Sequence, residues 1–159
     1  MLPMPNATVG EVLGLIETIY AYGGKVKISF LAEELRIPFD ELGDAIDMAE
    51  LLNLVRVSKG VVQLTLYGEA LNLGTIQNKK NILNKQLVKV EPFKSILNII
   101  KKEGGSFEKD ILKQLRLQKM VIEDEARFHK LMLAWGGYAE IFEYDGVKQE
   151  FSKARRSKK

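Results

Sequence analysis

Leu54-Val55-Arg56-Val57-Ser58-Lys59-Gly60-Val61-Val62-Gln63-Leu64-Thr65-Leu66 is the stretch that decides the fold: two short apolar runs around a Lys-Gly turn. Val62, Leu64 and Leu66 alternate with polar or small neighbours, so the segment predicts a β-hairpin. Upstream the period changes. Phe39, Leu42, Ile46, Ala49 and Leu52 recur at helical spacing over about Phe39–Asn53 and are expected to face inward. Ile37-Pro38 separates that helix from one around Ser29–Leu35, because a residue before proline is pushed out of the helical region. Lys25 to Ile28 reads as a short extended piece. Before it, Gly23-Gly24 ends a first helix whose stripe is Val9, Val12, Leu13, Ile16, Ile19 and Tyr20. Thr8-Val9-Gly10-Glu11 has the form of a capping box at its start.

Helix, short strand, helix, helix, hairpin is the order of a winged helix, and it occurs twice. Glu91-Pro92 opens a helix carrying Phe93, Ile96, Leu97 and Ile100, and Gly104-Gly105 ends it 81 residues after Gly23-Gly24. Ser106 is expected to cap a helix with Phe107, Ile111 and Leu115 inward, followed by a longer helix over about Val121–Trp135. Ala139–Tyr144 and Val147–Phe151 flank Asp145-Gly146 as a second hairpin, Gly146 standing 86 residues after Gly60. The expected fold is mainly α with small β-hairpins: tandem winged-helix units, 1–66 and 91–151, joined by a helical connector, 67–90. A disordered basic tail, 152–159, completes the division.

Composition narrows the chemistry. The 159 residues are 46% hydrophobic and 28% charged, a globular balance, with no cysteine and one histidine, His129. Thiolate chemistry, disulfides and multi-histidine metal sites are thereby excluded. No apolar run approaches the roughly 20 residues needed to span a bilayer, and Met1–Val9 is not a secretory signal, so a cytoplasmic location is expected. Net charge is +3, but unevenly distributed: −5 over residues 1–78, +7 over 79–119 and +1 over 120–159. Five bases, Lys153, Arg155, Arg156, Lys158 and Lys159, crowd the end.

Each candidate for chemistry has a plainer explanation. Gly23-Gly24-Lys25 lacks the Ser or Thr after lysine that a phosphate loop needs, and serves better as a helix end. His129 has only Asp124 and Glu125 nearby, too close in sequence to oppose it. Glu123-Asp124-Glu125 suits a helix start. No convergent nucleophile, base or metal set exists, so no enzyme and no cofactor are expected.

The helix over Phe39–Asn53 carries Asp40, Glu41, Asp44, Asp47 and Glu50 without a single base, which opposes phosphate contact and suits protein docking. Trp135, Tyr138, Phe142 and Tyr144 make the densest aromatic segment, whose expected use is core packing, with one hairpin face left for a partner. An alternative reading is a DNA-binding regulator using Lys101 and Lys102 with Lys153, Arg155, Arg156, Lys158 and Lys159.

The run Ala134-Trp135-Gly136-Gly137-Tyr138-Ala139-Glu140-Ile141-Phe142-Glu143-Tyr144-Asp145 closely resembles the closing signature of the AAA-associated C-terminal domain family. Gly23-Gly24, Leu31-Ala32-Glu33-Glu34-Leu35, Ala49-Glu50-Leu51-Leu52-Asn53-Leu54-Val55 and Gln63-Leu64-Thr65-Leu66-Tyr67-Gly68 extend the match over about Val9–Phe151. That family is found mostly behind the ATPase subunit of nitrate/sulfonate/taurine-type ABC transporters. The resemblance implies a non-catalytic regulatory or docking accessory to an ABC-type ATPase, with no catalytic residues to carry over. No Walker motif or ABC signature precedes the domain, so a free-standing version or an excised piece is expected. Homodimerisation through terminal or connector helices is a further expectation.

Overall fold

Thr8 and Glu11 start the first helix as the capping box requires. The Glu11 N–H donates to the Thr8 hydroxyl (3.0 Å) and the Thr8 N–H to the Glu11 carboxylate (2.8 Å), starting α1 (Val9–Ala21). The computed structural model describes residues 4–155. Among them α1 is followed by β1 (Lys25–Lys27), α2 (Ile28–Leu35), α3 (Phe39–Leu51), β2 (Val55–Ser58), β3 (Val61–Leu64), α4 (Leu66–Leu73) and α5 (Ile76–Leu87). Then come α6 (Phe93–Glu103), β4 (Ser106–Phe107), α7 (Glu108–Leu117), α8 (Glu125–Tyr138), β5 (Phe142–Asp145) and β6 (Glu150–Lys153). The fold is mainly α with small β-hairpins. It divides into two compact units, Pro5–Leu83 and the stretch from Asn84 onward, the boundary falling inside α5.

In the first unit β3 is central, in the order β1-β3-β2, with Val62 opposite both Val26 and Val57. The Gly24 carbonyl accepts the Leu64 N–H at 2.9 Å, and the Leu54 carbonyl accepts the Thr65 N–H at 3.0 Å. Val12, Ile19, Leu31, Leu42, Met48 and Val62 are sealed from solvent beneath this sheet. The second unit repeats the plan. β6 is central in the order β4-β6-β5, with Phe151 opposite both Ser106 and Tyr144. Trp135 and Phe93 are fully buried there, and Phe142 stacks on Phe93 at 6.2 Å while meeting Phe151 edge-on at 5.1 Å.

The helix ends repeat as well. α3 closes with the Leu54 N–H on the Ala49 carbonyl (2.9 Å) and the Asn53 N–H on the Glu50 carbonyl (3.0 Å), Asn53 taking φ +58°. α8 closes identically, with Ile141 on Gly136 (2.8 Å), Glu140 on Gly137 (3.1 Å) and Glu140 at φ +57°. Both ends turn the chain directly into a hairpin.

Several sequence expectations are corrected. Phe39 is 65% exposed, because it is the first residue of α3 and precedes the buried stripe that begins at Leu42. Leu66 is 82% exposed: β3 stops at Leu64, and Thr65 caps a new helix by accepting the Gly68 N–H at 3.2 Å. The connector is two helices, α4 and α5, interrupted at Gly74-Thr75. Ser106 is no cap; it lies buried in β4, and Phe107 is half-exposed. α8 starts at Glu125, capped by Asp124, whose carboxylate accepts the Arg127 N–H at 3.0 Å. The second hairpin turn is longer than Asp145-Gly146. The Asp145 carboxylate accepts the N–H groups of Lys148 (3.1 Å) and Val147 (2.9 Å), which hold it below the usual carboxylate range. β6 continues through Ser152 to Lys153, so those two residues belong to the sheet.

Gly136 and Gly137 look alike in sequence but differ in surroundings. A Cβ built on Gly136 overlaps the Phe142 ring, whereas one on Gly137 meets nothing within 4 Å. Gly136→Ala is therefore expected to cost about 1–3 kcal/mol through overpacking. Gly137→Ala is expected to gain about 0.5–1 kcal/mol of helix stability. Urea denaturation of the two variants checks this; equal effects would contradict it.

Candidate interaction surfaces

α3 presents its acids on one face because its apolar residues occupy the other. Leu42, Ala45, Ile46, Met48 and Ala49 are buried, leaving Asp40, Asp44 and Asp47 aligned at i, i+4 and i+7, with Glu41 and Glu50 flanking them. Phe39 and Leu51, 65% and 41% exposed, stand at the two ends of this stripe. Asp40 and Glu41 lie in the first turn, where the positive end of the helix dipole favours them. Asp47 and Glu50 lie toward the negative end, where the helix's own last turn holds no base, and the helix dipole disfavours that placement.

The aromatic hairpin supplies little surface. Trp135 (0% exposed) and Phe142 (2%) are core residues, so neither is placed to contact a partner, contrary to their candidacy as interaction residues. Tyr138 and Tyr144 are half-buried. The Tyr144 ring rests between Phe151 (4.7 Å) and His129 (5.0 Å), and its hydroxyl donates to the Glu108 carboxylate at 3.1 Å.

Glu108 is also the partner that sequence reading did not find for His129: its other oxygen lies 2.5 Å from the imidazole Nδ1. The 21 positions that separate them carry no periodic signal. They meet because β4 pairs with β6, which sets the first residue of α7 against α8, the Glu108 N–H donating to the Gln149 carbonyl at 2.9 Å. Glu125, next to the α8 cap, is paired with Arg116 at 2.7 Å.

The bases of the nucleic-acid reading that fall within the described residues lie on different elements. Lys101 and Lys102 end α6, where cations complement the dipole. Lys153 ends β6, and Arg155 donates its backbone N–H to Glu143 at 3.0 Å. Arg156, Lys158 and Lys159 lie outside the described residues. Among the described residues no group of three or more His, Asp or Glu side chains is arranged to hold a metal ion, and no helix is long and apolar enough to cross a membrane.

Two measurements follow from these surfaces. Glu50→Lys places a base at the negative end of α3 and is expected to raise stability by about 0.3–1 kcal/mol; a loss in thermal or urea unfolding would contradict the dipole argument. Two phenols are held above their ordinary value. For Tyr22 the cause is chiefly the bond from its hydroxyl to Glu34 (2.8 Å); for Tyr144 it is burial first, then the bond to Glu108. A raised value means that their contribution to stability is present below the unfolded value near 10 and lost as pH rises through the folded one. Glu34→Gln and Glu108→Gln are each expected to lower the midpoint of the corresponding tyrosine in an NMR titration. An unchanged midpoint would contradict the assignment.

The motifs quoted above are explained by packing. A Cβ on Gly68 would overlap the Leu54 carbonyl, and the Thr65 hydroxyl donates to the Asn53 carbonyl at 2.6 Å, which ties Asn53-Leu54 to Thr65-Gly68. Gly136 gives Phe142 its room in the same way. No curated protein and no solved structure matches the chain. The profile of the C-terminal AAA-associated domain matches residues 30–145, nearly three quarters of the sequence, and spans all these motifs except Gly23-Gly24. The chain belongs to the C-terminal AAA-associated domain family.

Proposed function

We propose that this chain is a non-enzymatic docking module, two winged-helix units in tandem, that regulates an ABC-type ATPase in the cytoplasm. Membership of an AAA-associated family supports an accessory role. The repeated strand orders β1-β3-β2 and β4-β6-β5, with each hairpin following three helices and the third strand drawn from between the first two, support the winged-helix reading. The observation that carries the docking reading is the position of Asp47 and Glu50. Acids kept toward the negative end of α3, against the local interest of the helix, are explained by use of that face on a partner. The contact residues are Asp40, Asp44 and Asp47, with Tyr138 and Tyr144 as the accessible aromatic positions of the second unit. An acidic face of this kind fits a basic protein surface and repels a phosphate backbone.

The test is a binding titration with a purified ATPase subunit of a nitrate/sulfonate/taurine-type ABC transporter. Asp44→Lys with Asp47→Lys is expected to weaken binding about tenfold or more, equivalent to about 1.4 kcal/mol, with an unchanged circular dichroism spectrum. Unchanged affinity removes α3 as the contact. In parallel, a random DNA duplex is titrated with the full chain and with a chain ending at Arg155. Binding that vanishes with modest salt or with the terminal bases is electrostatic adhesion. Tight, sequence-selective binding that survives both would replace the docking reading with a DNA-binding regulator.

A further inference from the structure

The outer face of the first sheet carries bases and no acid. Lys25, Gln63 and Arg56 lie side by side in one row across β1, β3 and β2, and Lys27, Val61 and Ser58 in the next. Val26 and Val62 are buried between these rows, so both rows share the side away from the core. Lys25, Lys27 and Arg56 are exposed, as is Lys59 in the turn. With Arg36 they are all the bases of residues 1–78, a stretch whose net charge is −5. None of the four makes an ion pair among the described residues. Lysines on an edge strand deter strand addition, which accounts for β1. Sheet stability favours an acid across from each base, however, and no strand of this sheet supplies one.

The second sheet has the same register and the opposite charge. Phe151 takes the place of Val62, buried and opposite both flanking strands. Relative to it, Glu143 holds the position of Arg56, Asp145 that of Ser58, Glu150 that of Val61, and the half-exposed Phe107 that of Lys27. Glu143 and Asp145 are exposed and Glu150 is half-buried. Asp145 and Glu150 are direct cross-strand partners, and like charges so placed cost stability. Lys148 of the turn acts on Asp145, and Lys153 shares the side of Phe151; the strand rows of this face hold no base. Equivalent faces of two related units thus carry opposite signs, each at some cost to its own sheet. We propose that the basic sheet face of the first unit docks on the acidic sheet face of the second unit of another copy of this chain. Lys25, Lys27 and Arg56 meet Glu143, Asp145 and Glu150, with Phe107 against Val61. The contact uses no residue of α3 and is independent of docking to an ATPase. Exposed ion pairs are individually weak, so the association is reversible and fades with salt.

Sedimentation equilibrium of the full chain tests this. At low salt the average mass is expected to rise with concentration above the 18.0 kDa of one chain. It is expected to return to that value at about 0.5 M salt, where screening shortens to a few ångströms. Lys25→Glu, Lys27→Glu and Arg56→Glu together make both faces acidic. Glu143→Lys with Glu150→Lys makes both basic and leaves the Asp145 turn intact. Each variant alone is expected to associate at least about tenfold more weakly, with an unchanged circular dichroism spectrum. An equimolar mixture of the two is expected to recover association, because every face again meets its opposite. Asp44→Lys with Asp47→Lys is expected to leave the mass unchanged; loss there would assign the contact to α3 and overturn the proposal. A wild-type chain that stays monomeric at every concentration would overturn it without recourse to any variant. So would association that either sheet variant leaves intact, or a mixture that fails to recover it.

Discussion

β3 and β6, four residues each, are hydrogen-bonded along both edges, and each unit closes only because of this. A two-stranded hairpin alone is marginal in water. Pairing a third strand from between the first two helices joins residues about 35 to 45 positions apart, Lys27 with Val61 and Ser106 with Phe151, and draws the intervening helices over one face of the sheet. The buried faces of α1 and α3 then share a core with Val62, and those of α6 and α8 with Phe151. The Schellman ends at Asn53 and Glu140 complete the geometry, since they aim each third helix straight into its hairpin.

The same constraint determines which surfaces remain for function. Once the hairpin aromatics Phe142 and Phe151 are used in the core with Phe93, Tyr144 is the half-buried aromatic of the second hairpin. The first unit buries smaller residues, and its third helix keeps an entire acidic face outside. Two related units thus diverge: one exposes a charged third helix, while the other encloses aromatics. Belonging to the C-terminal AAA-associated domain family accounts for the packing motifs they carry, and the surfaces are where a particular partner would be chosen.

Much of this architecture was legible locally. The Thr8–Glu11 box, the Gly23-Gly24 stop, the buried stripe of α3 from Leu42 to Ala49 and the Lys59-Gly60 turn each act within a few residues, so sequence reveals them. What stayed hidden depends on distant partners. Ser106 reads as a cap until β6 arrives to make it a strand, and Leu66 reads as the end of an alternating strand until Thr65 is tied to Asn53. Glu108 and His129 are joined only by the fold. Trp135 and Phe142 are apolar in either role, and only the room left by Gly136 shows that they are core. The acidic face of α3, being a property of one helix, was visible throughout.

Native-state hydrogen exchange tests the dependence on the central strands most directly. The Leu64 N–H, bonded to Gly24, and the Ala154 N–H, bonded to Ile141, secure the ends of β3 and β6 to their neighbours. If these strands hold the units closed, the Leu64 amide exchanges only with the opening that also exposes the core amides of α1, at the same free energy. Early exchange of Leu64 while Ile16 and Ile19 remain protected would show that the helices stand without the sheet, and would contradict the account.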